Sequence, residues 1–412
     1  MSLAEAADQG CSRRRVRQLA SARVVSSSGS QAAQIALIYQ IYAITRSGAW
    51  VAAALFGCIS LAGLLGPISG WIADRFDRRR VMVFSELTAG AAYLGLVFAH
   101  DPAVLLTGAL AATIAGSPFR AASAAAVPNL VEVGDLPWAN AQLEAAFNVA
   151  LVAGPLLGGA LVAASGAGLV YGLNAASFAG SGILIALTRG SFGGGHANAL
   201  ALERAGKHLF AGYRFIATNK RLAPLAAASA LAYGSFGAAL VIDPALTRYF
   251  HAGSIGYGLL TALWGAGAVI GALLAGRLVT VSNAHRAVVW GIAAMGISLG
   301  SIIVLPDFPL IVGAGAIGGA GSGFVFIPWL LLLQRHSSEA IRGRVVAAAE
   351  GFDQVAFLIG MVIAVPIISW ANPHHAYAIA GVLLAAATAI TAVFGSTREV
   401  TEPTLERAGA DE

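Results

Sequence analysis

The amino-acid sequence predicts an all-α membrane protein with twelve transmembrane helices in two six-helix halves. Hydrophobic residues make up 58% of the 412 residues and charged residues only 11%, whereas soluble domains are about a quarter charged. The 50 glycine residues suit helix packing in lipid, where small side chains let two backbones approach closely. Apolar segments of membrane length follow one another along almost the whole chain, which indicates a multi-pass protein.

The apolar segments fall into two groups of six, each segment with about the 20 residues that a bilayer core requires. The N-terminal half, 24–188, contains predicted spans at 24–45, 49–72, 81–100, 103–126, 140–164 and 166–188. The C-terminal half, 222–394, contains predicted spans at 222–247, 255–278, 287–305, 308–334, 345–369 and 374–394.

Lysine and arginine are distributed unevenly between the two sides of these spans. With the N-terminus in the cytoplasm, cytoplasmic segments hold 22 of the 25 lysine and arginine residues. Only Arg46 and Arg248 then face outward, and Arg120 lies within a span. Cytoplasmic loops carry such a basic excess. We therefore expect a bacterial inner-membrane protein with cytoplasmic tails at 1–23 and 395–412.

Residues 189–221 form the long cytoplasmic connection between the two halves. In its second part Leu209, Tyr213 and Ile216 fall on one helical face, away from the basic residues. Such an amphipathic helix is typical of a membrane surface, so we expect it to lie on the inner surface. Six helices, a basic linker and six more helices is the layout of a transporter built from two halves.

A dense cluster of charges, GWIADRFDRRR, lies between the second and third spans. Gly66 and Gly70 have small-xxx-small spacing, which predicts tight packing of the second span against a neighbour. Asp74 ends that span, where a carboxylate is unfavourable beside the negative end of the helix dipole. It therefore needs a partner, either a nearby arginine or the N-terminal end of another helix. The last two arginines could equally serve only as orientation signals.

This stretch resembles the G-x-x-x-D-R-x-G-R-R signature of the major facilitator superfamily. The matching residues are Gly70, Asp74, Arg75, Arg78 and Arg79, whereas Asp77 replaces the second glycine. The resemblance implies the major facilitator fold. It also implies a charge network, carried by Asp74, Arg75 and Arg78, that latches the outward-facing state and loosens in the inward-facing one. The stretch GALLAGRLVTVSNAHR at 271–286 is similar to a second copy without an acidic residue, which suggests an internal repeat.

A second motif lies in the fifth span, within NVALVAGPLLGGAL. Gly154, Pro155, Gly158 and Gly159 resemble the G-P-x-x-G-G signature of drug:proton antiporters in the same superfamily. Proline removes a helix hydrogen bond and glycine permits close contact, so we expect a kinked, tightly packed interface. Ordinary small-residue packing is the alternative. Segments that resemble the bacterial subfamily containing macrolide efflux proteins and the enterobactin exporter are found at 117–141, 256–278 and 332–348.

Five charged residues in the predicted spans are candidates for a proton or substrate site, because charges inside a bilayer are costly and usually functional. They are Arg120, Glu144, Asp243, Glu350 and Asp353. The arginine could instead snorkel to the interface, and Glu144 could only complement a helix dipole. Glu350 and Asp353 share one helical face. Asp243 has the least structural justification and is the first candidate for proton exchange, although its Asp-Pro context also suits a helix break.

Gln34, Tyr39 and Gln40 give the first span a polar character, so at least some of them are expected to face a central cavity. An apolar cavity with few polar anchors suits an amphipathic ligand. The cysteine and histidine spacings do not suggest a metal site, and we expect neither a metal nor a cofactor.

These features together predict a secondary active transporter that exports a drug or natural product by proton antiport. The expected partners are a small-molecule substrate, protons and the lipid bilayer. We expect a monomer and no nucleic acid, since no basic patch is interleaved with aromatic residues. Export of a siderophore or other metabolite is the alternative, followed by import and by a membrane receptor or assembly factor without transport. An ATP-driven enzyme is not expected, because the sequence has no G-x-x-x-x-G-K-[ST] phosphate loop.

Overall fold

A computed structural model describes residues 3–131, 135–188, 192–193, 211–280, 282–337, 341–370 and 372–395. Helices make up almost all of these ranges, and the described residues contain no β-strand. The helices in chain order are α1 (Leu3–Thr45), α2 (Gly48–Leu64 and Gly66–Arg75), α3 (Arg78–Leu96), α4 (Pro102–Leu130), α5 (Leu136–Ser165), α6 (Ala167–Leu187), α7 (Ala211–Thr218), α8 (Leu222–Tyr249), α9 (Gly253–Leu278), α10 (Ala284–Ser301), α11 (Phe308–His336), α12 (Arg342–Trp370) and α13 (Pro373–Gly395).

Each of the twelve predicted spans coincides with one of these helices, and α7 belongs to the predicted linker. By length and apolar composition, nine helices of the described chain can cross a membrane, and α2 makes ten if its two segments form one span. The helices α1 and α3 carry more polar and charged residues and lie outside that set. The all-α membrane fold is confirmed, and the predicted count of twelve spans is compatible with it.

The helices form two groups with the same internal packing. In the first group α1 packs on α5 and α6, α3 packs on α4 and α6, and α2 packs on α4. In the second group α8 packs on α12 and α13, α10 packs on α11 and α13, and α9 packs on α11. Counted from the first helix of each group, these are the same five pairs. The fold is therefore an internal repeat, as many transporter folds are.

The two groups meet most closely where α5 crosses α9. A Cβ atom placed on Gly159 would lie 2.5 Å from the Ser254 carbonyl oxygen and 3.1 Å from Gly258 Cα. The Ser254 hydroxyl donates a hydrogen bond of 3.0 Å to the Gly159 carbonyl oxygen. A further bond of 3.0 Å, from Gln354 Nε2 to Ser60 Oγ, joins α12 to α2. At this end of the molecule α5 ends and α9 begins, and we call it the closed end.

The opposite end, which carries the turn between α2 and α3, is open. A Cβ atom on Gly66 or Gly70 would meet no atom of the described residues within 4 Å, and 60% of the Asp74 side chain is exposed. The expected tight packing of these two glycines is therefore not formed in this conformation, because none of the described helices lies opposite that face of α2. We call this the open end.

The corresponding glycines of the second group do pack tightly. A Cβ atom on Gly271 would lie 2.7 Å from the Ala320 carbonyl carbon of α11, and one on Gly267 would lie 2.9 Å from the Ala320 nitrogen. The two copies of the repeat thus use the same glycine spacing differently. The copy without the acidic residue holds α9 against α11, and the charged copy leaves its face of α2 without a neighbour.

The helix α2 is bent by 49° between its two segments. Pro67 lies in the first turn of the second segment and cannot donate a backbone hydrogen bond to the preceding turn. Residues Phe56–Ser60 form a π-helical turn, a feature that also loosens the regular hydrogen-bond ladder. These two features divide α2 into a part that faces the second group and a part that ends in the charged turn.

The predicted N-terminal tail is helical from Leu3 and continuous with the first span. Val16 and Leu19 are buried in a cluster with residues of α3, α4 and α5. Arg13 Nη2 also forms an ion pair of 3.1 Å with Asp135 at the start of α5. Apolar residues at helical spacing within the basic segment account for this extension.

The linker helix α7 packs on α12 of the second group. Tyr213 meets Phe352 of α12 edge-on, with ring centroids 4.9 Å apart, and Ile216 is buried. The apolar face of α7 therefore packs on α12, and its position on the inner membrane surface stays a prediction. Leu209 lies outside the described residues.

We predict that Gly258→Ala destabilises the folded protein. The added Cβ would overlap the Pro155 carbonyl oxygen and lie 3.1 Å from Gly159 Cα, and overpacking of this kind costs about 1–3 kcal/mol. Thermal unfolding of the purified protein in detergent measures the effect. The matched control is Gly276→Ala on the same helix, where the nearest atom would be 4.0 Å away, on Ile327. Equal melting temperatures of the two variants would contradict the assigned contact.

Candidate functional site

The arginines of the charged turn hold the first residues of the linker. Arg78 Nη1 donates hydrogen bonds to the carbonyl oxygens of Ala125, at 2.8 Å, and Phe192, at 3.5 Å. The Arg78 backbone N–H donates to the Gly193 carbonyl oxygen at 3.2 Å. The Arg79 guanidinium lies 4.7 Å from the centroid of the Phe192 ring, and Phe192 is buried. The turn therefore fixes residues 192–193 at the open end.

Residues 192–193 fall in the predicted linker, and this anchor was not among the predicted features. Gly193 has a φ of +70°, and a Cβ there would lie 2.6 Å from Asn129 Nδ2, so this position requires glycine. Asn129 Nδ2 also donates to the Phe192 carbonyl oxygen at 3.2 Å. A single aromatic residue within a glycine-rich stretch is the sequence signal that could have indicated an anchor.

The predicted latch residues lie together but are loosely joined. Asp74 and Arg78 form an ion pair of 3.6 Å that leaves the carboxylate exposed, and such pairs contribute about 0–1 kcal/mol. The Arg75 guanidinium lies 5.7 Å from the Trp71 ring centroid. Asp77, the residue that departs from the superfamily signature, accepts a 2.9 Å hydrogen bond from a backbone N–H of the first turn of α3. It therefore acts as a helix N-cap.

The glycines of the α5 motif contact two different helices. A Cβ atom on Gly158 would lie 2.6 Å from the Ala32 carbonyl oxygen of α1, and one on Gly154 would lie 2.9 Å from the Ser28 carbonyl oxygen. Gly159 and Pro155 face α9 at the closed end. The motif thus joins α5 to its own group on one face and to the second group on the other.

Charged residues of the first group face the open end. Arg120 of α4 and Glu144 of α5 are exposed although both helices can cross a membrane. Charges facing lipid would be costly, so their exposure indicates a water-accessible opening. Arg23 of α1 interacts electrostatically with both residues, and its guanidinium lies 5.9 Å from the Phe147 ring centroid. Arg23 falls within the predicted N-terminal tail, and it was not among the predicted site residues.

The two carboxylates of α12 lie on the wall that the second group contributes. Glu350 is exposed and Asp353 is buried. Tyr233 of α8 interacts electrostatically with both carboxylates, and Ser229 of α8 lies beside Asp353. The structure thus brings the two predicted carboxylates together with polar groups of α8.

Asp243 lies apart from these clusters, toward the closed end. It is buried within the second group, where the Tyr377 hydroxyl of α13 donates a hydrogen bond to its carboxylate. The helix continues through Pro244 to Tyr249, so the helix break that the Asp-Pro context suggested is not present. A buried carboxyl group with a hydroxyl partner can bind and release a proton.

The polar residues of α1 occupy different surroundings. Gln40 accepts a 2.7 Å hydrogen bond from the Tyr171 hydroxyl and donates one of 3.2 Å to the Ala99 carbonyl oxygen. Its amide is therefore used within the first group. Gln34 and Tyr39 are half-buried, and the Tyr39 hydroxyl lies 3.9 Å from the position of a Cβ on Gly253. Tyr39 thus lies at the closed end, beside the start of α9.

A further buried carboxyl group, Glu86 of α3, was not among the predicted site residues. Only 2% of it is exposed, and Ser26 Oγ of α1 donates to Glu86 Oε1 at 3.0 Å. The neighbouring Ser181 of α6 is also buried. The described residues hold no group of three or more histidine, cysteine or acidic side chains placed to bind a metal ion.

Two groups of helices, closed at one end and open at the other with charged walls, have the architecture of a membrane transporter. The family model described as transmembrane secretion effector matches residues 11–409. The chain therefore belongs to this family of the major facilitator superfamily, which confirms the resemblance inferred from the charged turn and the α5 motif.

Curated relatives support the same class. The enterobactin exporter EntS of Shigella flexneri is 27% identical over 327 residues, which cover 76% of this chain and 74% of the relative. An uncharacterized MFS-type transporter, y4rN of Sinorhizobium fredii, is 28% identical over 308 residues, which cover 74% of each chain. The protein is thus a multi-pass membrane transporter of the major facilitator type.

Solved structures share the fold at low sequence identity. A bacterial homologue of the iron transporter ferroportin in an inward-facing state matches with a TM-score of 0.70 and 19% identity, covering 96% of this chain and 100% of that chain. A mutant of the nucleoside transporter NupG matches with a TM-score of 0.75 and 13% identity, covering 92% and 99%. These similarities show the fold alone.

Proposed function

We propose that the protein exports an amphipathic small molecule, a drug or natural product, across the bacterial inner membrane in exchange for protons. The observation that carries this proposal is the asymmetry of the two ends. Backbone contacts between Gly159 and Gly258 block one end, and exposed charges mark a water-accessible opening at the other. A binding site reached from one side at a time is the requirement for alternating access.

The glycine face of α2 supports a second conformation. Gly66 and Gly70 have open space beside them here, although their spacing suits a close helix contact. In our proposal they meet the second group when the open end closes and the contacts between α5 and α9 separate. The loose pair of Asp74 and Arg78 then tightens as the latch.

An apolar crevice between α2, α4 and α12 supports an amphipathic substrate. Its lining residues are Ala52, Ala53, Phe56, Leu106, Leu110, Leu358, Met361 and Val362. Ligand sites are mostly apolar, with a few polar groups that fix orientation.

Siderophore or metabolite export is the second candidate function, and the relatives named enterobactin exporters favour it. Their names also favour export over import. A receptor or assembly factor is less favoured, because a protein without transport activity does not require an open end with charged walls.

We predict that the open end and the chain termini face the cytoplasm, since basic residues concentrate there. In a variant with Cys11 and Cys58 replaced, cysteines introduced at Ser191 and Thr401 should resist a membrane-impermeant thiol reagent applied to whole cells. A cysteine at Asp307, in the exposed loop between α10 and α11, should be labelled. The reverse pattern would overturn the orientation.

We predict that Asp74→Asn lowers the transport rate several-fold without reducing the amount of protein in the membrane. The variant removes the carboxylate that pairs with Arg78, which the proposed outward-facing state needs. Enterobactin accumulation in everted membrane vesicles provides the measurement. Asp77→Asn is the matched control, because it removes the same charge from the same turn while asparagine still caps α3. Full transport activity of Asp74→Asn, or an equal loss of activity in both variants, would indicate that the turn serves only as an orientation signal.

We predict that transport collapses with a protonophore and persists without sodium. Asp243→Asn should then bind substrate but lose its response to a pH gradient, because the amide cannot release a proton. Everted vesicles with an imposed gradient measure both effects. Asp307→Asn, the same change at an exposed position of the second group, should behave as wild type. Uphill transport by Asp243→Asn would place the proton site at another carboxylate, such as Glu144, Glu350 or Asp353.

A further inference from the structure

The first-group wall of the opening holds more positive charge than its carboxylates balance. Arg23 interacts electrostatically with Arg120 and with one carboxylate, Glu144. Neither arginine forms an ion pair with another described residue. Two positive charges and one negative charge leave one positive charge without a counterion. Because like charges at close range repel, a bound anion would stabilise this cluster.

The surroundings of Arg23 suit recognition of an anionic group. Arg23 is half-buried, and its guanidinium lies 5.9 Å from the Phe147 ring centroid, which restricts its motion. A guanidinium presents a planar fork of donors that matches a carboxylate in two parallel hydrogen bonds. The Phe147 ring beside it offers an apolar surface to the body of the same ligand.

The opposite wall has the reverse character. Glu350 is exposed there, and Tyr233 is 41% exposed beside it. A carboxylate repels an anion and an aromatic ring attracts an apolar body. A ligand with one anionic end would therefore direct that end toward Arg23 and Arg120 and its apolar part toward α8.

We propose that Arg23 and Arg120 form an anion subsite that selects amphipathic substrates with a carboxylate or similarly charged group next to an aromatic or apolar body. The inference rests on the proposed transport function and defines its substrate class. It assigns a binding role to Arg23, and it leaves the carboxylates of the opposite wall available for protons.

The test uses two probes that differ in charge, dansylglycine, which is anionic, and dansylamide, which is neutral. Binding to the purified full-length protein in lipid nanodiscs is measured by fluorescence titration against empty nanodiscs. The wild type should bind dansylglycine more tightly. Arg23→Gln should weaken dansylglycine binding about tenfold, in line with a hydrogen bond to a charged group, and should leave dansylamide binding unchanged.

Arg17→Gln is the matched control, since it removes the same charge from an exposed position six residues earlier on the same helix. It should change neither affinity, and Arg23→Lys should restore part of the binding of dansylglycine. Equal losses for both probes would reveal a structural role of Arg23 and overturn the subsite. Unchanged binding of dansylglycine by Arg23→Gln, together with slower transport, would also overturn the subsite. That result would instead indicate that Arg23 acts as a gate by pairing with Glu350. Because the binding assay needs no ion gradient, failure of proton coupling would leave its result interpretable.

Discussion

The backbone contact between α5 and α9 is the constraint on which the rest of the structure depends. In lipid there is no hydrophobic force between helices, so their association relies on van der Waals contact and hydrogen bonds at short range. Gly159 and Gly258 permit that approach, and the Ser254 hydroxyl adds a hydrogen bond across it. Because Gly154 and Gly158 hold the other face of α5 against α1, this helix connects the two groups of the repeat.

The free-energy cost of placing a charged side chain in lipid accounts for the arrangement of charges at the open end. Arg78 and Arg79 hold Phe192 and the adjacent glycine, so the signature turn connects α3, α4 and the start of the linker. The charged walls lie where the groups diverge, and exposure to water lowers the cost of Arg120 and Glu144. Asp243, which lies away from the opening, instead shares a hydrogen bond with a buried tyrosine. The same physical penalty thus accounts for both the exposed and the buried charges.

Several features of the site could not be predicted because they depend on contacts between distant segments. Arg23 is 97 residues from Arg120 along the chain, and its electrostatic contact with Arg120 and Glu144 follows from the packing of α1. The anchor at Phe192 arises only when the linker returns to α3 and α4. The polar surroundings of Glu86 require α1, α3 and α6 together. Gln40 was expected near a cavity, yet the fold satisfies its amide within the first group.

The sequence by itself determined the membrane class, the positions of the helices and the superfamily. Each follows from local properties: the length of apolar segments, the spacing of glycine and proline, and the motif in the charged turn. Only the tertiary structure decided which glycines are in contact, which end is open and which charges share a wall. Spacing shows that Gly66, Gly70, Gly267 and Gly271 can all approach a neighbour, but the neighbour is supplied by the arrangement of the two groups. Helix formation in lipid is a local requirement of the backbone, whereas the choice of partner is a property of the whole fold.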